Sequence, residues 1–157
     1  MNNEFVPYEQ ALALKELGFD EPCFTSYDDE KRLRNLFDYK NSDYYLSAPY
    51  IEDSRHWIFN SELTIENFIG NKDLYTQFIA APLYQQAFDW FREKHKLVVN
   101  QERDGGFWHF DIKDTSQENY EGVLEVKDGY RYMDSYEDAR LACLQKLIEL
   151  AKEYPAE

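Results

Sequence analysis

With 157 residues, 43% hydrophobic and 17% aromatic, the chain has the length of one domain and is too rich in core-forming side chains to be intrinsically disordered. Its 31 acidic and 17 basic residues give a net charge of −14, which opposes binding to naked nucleic acid or to an anionic membrane. No run reaches the roughly 18 uncharged apolar residues of a membrane span, and MNNEFVPYEQ lacks the basic-then-apolar order of a secretory signal, so a soluble cytoplasmic protein is expected.

In chain order, Pro7 is well placed for a first helical turn. Ala11, Leu12, Leu14 and Leu17 follow, and Gly18 supplies a stop, which predicts a short amphipathic helix. CFTSY, within Phe19 to Tyr27, predicts a strand. From Lys31 to Asn60 aromatics lie among charges without a sustained period, which suggests short strands and loops. Leu63 to Ile79 suggests a helical turn or two near Thr64 to Phe68. In APLYQQAFDWFREKH, apolar residues recur every three or four positions and predict a helix from about Pro82 to His95. Leu97 to Val99 predicts a strand, Asp104-Gly105-Gly106 a turn, and Phe107 to Lys113 a second strand. A polar loop over Asp114 to Asn119 is followed by Gly122 to Val126 and Tyr130 to Met133, a hairpin about the Asp128-Gly129 pair. Finally, Ser135 and Asp138 form a short capping box before a helix from about Tyr136 to Glu153, striped by Leu141, Leu144, Ile148 and Ala151 and widened by Leu147.

These elements predict an α+β fold in one domain over 1–157. Residues 81–157 form an α-β-β-β-α unit with a small antiparallel sheet packed on two helices. Residues 1–80 form a less regular half with one short helix.

Glycine-rich phosphate loops and the common hydrolase signatures are absent, so no cofactor and no catalytic residue are assigned. Cys23 and Cys143 fit neither a zinc spacing nor a disulfide framework and are assigned to packing. His109 and Asp111, two apart on a predicted strand, face one side. They are either two metal ligands, with His56 or Asp53 as a distant third, or an ordinary pair on a solvated strand face. The predicted helix at Tyr84 to Phe91 cannot point all its aromatics one way: either it is buried on two sides, or a ring such as Trp90 is exposed as a protein-binding anchor.

Carboxylates outnumber basic residues most steeply between Asp111 and Asp138. Glu118, Glu121, Glu125, Asp128, Asp134 and Glu137, with Trp90, are the candidate partner-binding set. Held on strands and a helix start, they would imitate a phosphate backbone toward a basic protein surface, such as that of a nucleic-acid-binding protein. The alternatives are an ordinary solvated sheet face and acidity that serves only solubility.

The helix, three strands, helix order of the C-terminal half resembles a double-stranded RNA-binding domain. In that family a Ser-Lys-Lys-x-Ala-Lys pattern opens the last helix. Here the stretch reads Ser135-Tyr136-Glu137-Asp138-Ala139-Arg140, and the two leading lysines are lost. The resemblance therefore implies no RNA binding. The phrases EFVPYEQALALKELGFDEPCF, APLYQQAFDWFREKH and SYEDARLACLQKLIEL resemble an uncharacterised family of small acidic proteins from bacteria and their phages, in which Ile51 to Ile79 looks like an insertion. That resemblance implies a mobile-element setting. The expectation is a non-enzymatic acidic binding protein, an anti-CRISPR-like inhibitor occupying the basic groove of a host defence protein. The alternatives are a small metal-dependent enzyme using His109 and Asp111, and a structural or dimerising protein.

Overall fold

The computed structural model describes residues 4–28, 30–33, 45–46, 58–61, 68–69, 78–116 and 133–155. The fold class is α+β, with two compact units: Pro7–Leu83, and Tyr84–Glu157 together with Met1–Val6.

In the first unit α1 spans Tyr8–Glu16 and buries Ala11 and Leu14. The Pro7 carbonyl accepts the first helical bond from the Ala11 amide at 2.9 Å, where proline's missing N–H costs nothing. The helix ends in a Schellman motif: Gly18 takes φ +91°, its amide donates to the Lys15 carbonyl at 3.0 Å, and the Phe19 amide donates to the Leu14 carbonyl at 2.9 Å. Phe19 is thereby turned into the core, 1% exposed.

Strand β1, Thr25–Tyr27, pairs antiparallel with β4, Ile79–Ala81, and every residue of both is buried. Strands β2, Tyr45–Leu46, and β3, Phe68–Ile69, form a separate antiparallel pair. Helix α1 lies against β4. Asn60 joins two parts of this core: its amide nitrogen donates to the Phe19 carbonyl at 2.8 Å, and its oxygen accepts from the Ala80 amide at 3.0 Å. The helical turn expected near Thr64 to Phe68 lies largely outside the described residues. No strand is predicted over Ile79–Ala81, where the structure has β4.

In the second unit α2 spans Tyr84–Trp90 and continues as one π turn over Phe91–His95, starting two residues later than predicted. Lys96 closes it in the left-handed region at φ 59°. Strands β5, Leu97–Asp104, and β6, Phe107–Asp114, pair over eight residues each. Gly105 and Gly106 both take positive φ, +56° and +98°, as a two-residue type I′ turn requires. The first strand therefore runs five residues beyond the predicted Val99.

The hairpin predicted after Gly122 lies outside the described residues except for Met133. Met133 exchanges two backbone bonds with Trp108, at 2.9 and 3.0 Å.

Helix α3 spans Tyr136–Glu153 as predicted. Ser135 caps it by accepting from the Asp138 amide at 3.0 Å, while its hydroxyl donates to the Asp138 carboxylate at 2.7 Å. The buried stripe begins earlier than predicted, at Ala139, Arg140 and Cys143, and Leu141 is only half-buried. Leu144, Leu147, Ile148 and Ala151 complete it, and α3 packs on β6; burial of each of the three larger side chains contributes roughly 1.5–3 kcal/mol. No helix among the described residues is long and apolar enough to cross a membrane.

Candidate functional site

Alternation along β5 and β6 divides the hairpin into two faces. Leu97, Phe110 and Ile112 lie on the buried one, which meets α3. Register places Glu102 opposite His109 and Asn100 opposite Asp111, so Glu102, His109 and Asp111 share the other face with Asp104 and Lys113. His109 is 8% exposed even there, and its Nε2 stands 3.3 Å from Glu102 Oε2. One donor atom of each of Glu102, His109 and Asp111 lies within 4.8 Å of the others.

The structure thus unites His109 with Asp111, as the strand period implied, and supplies Glu102 as the third group. The other candidate third groups, His56 and Asp53, lie outside the described residues. So do Glu118, Glu121, Glu125 and Asp128 of the acidic set.

Asp134 and Glu137 are described, and both are exposed beside the α3 cap. The ion pairs of the described residues engage neither of them. Glu137 lies in the first turn, where the helix dipole favours negative charge, and Asp134 immediately precedes the cap.

Of the two arrangements open to the α2 aromatics, Trp90 adopts the buried one, at 5% exposure. Its ring meets Phe91 edge-on at 5.1 Å and His95 at 4.9 Å. It presents no surface to a partner in this conformation, which removes the reason for placing it among exposed anchors. Arg140, which matched the last basic residue of the RNA-binding pattern, is also buried. Its guanidinium lies 4.1 Å from the Tyr84 ring centre and 5.0 Å from that of Tyr136, and Nη1 contacts Glu4 Oε2 at 3.0 Å.

Lys31, Arg32 and Arg92 are engaged by neighbouring carboxylates. Arg32 pairs with Asp28 at 3.0 Å and Glu30 at 2.7 Å, Lys31 with Glu9, and Arg92 with Asp89 at 2.9 Å and Glu93 at 3.1 Å. Burial alone would raise the Asp28 carboxyl. The hydrogen bonds from the Arg32 amide and guanidinium and the Glu30 amide together outweigh it and hold Asp28 below the usual carboxylate range.

Both cysteines are buried thiols. Burial, aided by the Glu21 and Asp20 charges, pushes Cys23 up to about 12, and burial pushes Cys143 up to about 12, so neither is a nucleophile at neutral pH.

Burial holds the His95 imidazole below its ordinary 6.5. As pH falls below 6.5 the unfolded chain takes up a proton more readily than the folded chain, so stability present above 6.5 is lost as pH falls below it. Urea midpoints at pH 7.5 and 5.5 are expected to differ less for His95→Phe than for the parent. An equal difference in both proteins would refute this linkage.

No protein-family model matches the chain, and comparison with the curated proteins and with the solved structures gives no match.

Proposed function

We propose that the protein is a non-enzymatic acidic binding protein. It engages a basic protein surface of the kind that grips nucleic acid, as a phage or mobile-element inhibitor of a host defence protein such as a CRISPR effector would. The observation that carries this reading is the net charge of −14, part of it held as exposed carboxylates, outside any ion pair of the described residues, at the capped start of α3.

Two further features support it. Lys31, Arg32 and Arg92 are paired with neighbouring carboxylates, which makes these three cations poor anchors for a phosphate backbone. The thiols are too protonated to attack a substrate.

A field of one sign acts mainly on encounter and specificity, and added salt screens it. Proteins from the native host retained at about 50 mM NaCl are therefore expected to be enriched in basic nucleic-acid-binding proteins. They should be lost at about 500 mM, and retained less well by the double variant Asp134→Asn, Glu137→Gln. Enrichment of neutral or acidic proteins, or retention indifferent to both salt and the double variant, would overturn the reading.

A further inference from the structure

We propose that Glu102, His109 and Asp111 form a three-ligand site for a divalent first-row transition ion, for which zinc is the best fit. The site is independent of the binding reading above, and either can fail without the other.

Three observations carry it. First, the 3.3 Å between His109 Nε2 and Glu102 Oε2 matches the separation of about 3.3 Å between two donors on a tetrahedral ion bonded at roughly 2.05 Å. Two donors at this separation can bind one ion. Second, Asp111 brings a carboxylate oxygen within 4.8 Å of both. Third, the three are fixed by the ladder of the hairpin: Glu102 and His109 are directly cross-strand, and Asp111 follows two residues along the same face.

The donor set selects the ion. One imidazole nitrogen with two carboxylates suits zinc and its first-row neighbours, whereas magnesium and calcium prefer oxygen alone. Two carboxylates balance the charge of a divalent cation. Asp104, next to Glu102 on that face, adds a further negative charge against the single cation of Lys113. Three protein ligands leave a tetrahedral ion one position for water.

The test is calorimetric titration of the full chain, stripped with EDTA and desalted, using zinc and magnesium chlorides separately. One equivalent of zinc is expected to bind, with no saturable heat from magnesium. His109→Gln and Glu102→Gln are each expected to weaken zinc by about tenfold or more. Glu102 is 63% exposed along its side chain, so its variant reports on ligation even if the buried His109 variant fails to fold. Absence of saturable zinc binding, zinc binding undiminished in Glu102→Gln, or magnesium binding as tight as zinc would each overturn the site.

Discussion

Replacing Arg140 by alanine is expected to lower the free energy of unfolding by about 3 kcal/mol, because it removes a cation stacked on two tyrosines and opens a cavity among them. The side chain is 5% exposed, while its partner Glu4 is 66% exposed. The ion pair is therefore lopsided: Glu4 keeps most of its hydration whether or not Arg140 is present. Most of the loss should come from the rings of Tyr84 and Tyr136, and Glu4→Gln should cost only about 0.5 kcal/mol. Arg140→Lys should recover a minor part, since an ammonium has no planar face to lay against an aromatic ring. Urea denaturation of the three variants measures this. A Glu4→Gln loss as large as that of Arg140→Ala would show that the ion pair, and not the stack, holds the arginine.

Asn60→Leu should cost a similar amount, about 3 kcal/mol, by a different route. One buried amide serves two backbone groups, and its loss leaves both the Phe19 carbonyl and the Ala80 amide buried without that bond. Leucine keeps the branched heavy-atom skeleton of asparagine, and its bulkier methyl groups add some overpacking to the lost hydrogen bonds. Asn60→Asp should be worse: the oxygen replacing the amide nitrogen meets the Phe19 carbonyl, and its charge must be buried. Hydrogen exchange offers a local check. The Ala80 amide should exchange faster in Asn60→Leu by more than the global loss of stability explains, and unchanged protection there would contradict the role assigned to Asn60.

Much of the second unit was legible because its signals are local. Ser135 with Asp138, followed by apolar residues at helical spacing, marks both the start and the face of α3. Glycine at 105 and 106 marks the hairpin turn. The failures have physical causes as well. Strand β4 is buried on both faces, so Ile79–Ala81 has no alternation to betray it, and the following Pro82 reads as a helix entrance. Arg140 lies three, four and seven residues before Cys143, Leu144 and Leu147, so it belongs to their stripe. A charged residue in such a stripe is not legible as core from spacing alone, and the tyrosines beside it and the contact to Glu4 help explain why it can be inside.

The candidate metal site was half legible. Parity along one strand joins His109 to Asp111, but Glu102 enters through cross-strand register. Taking Gly105-Gly106 as a two-residue turn would have found it, since that pairs Asp104 with Phe107 and Glu102 with His109. The acidic surface is a contrasting case. Net charge is read directly from composition, but which carboxylates escape ion pairing is decided by packing. Asp134 and Glu137 enter no ion pair among the described residues, whereas Asp28, Glu30, Asp89 and Glu93 are occupied by neighbouring arginines.

The most direct measurement of the functional account is competition for a partner recovered from the host. With that partner loaded on a labelled DNA duplex, addition of this protein should release the duplex. Its direct binding to the partner, measured without DNA, should weaken by about tenfold or more between 50 and 200 mM salt, because added ions screen the cations it seeks. A stable ternary complex of partner, duplex and this protein would contradict the claim that its carboxylates occupy the place of a phosphate backbone.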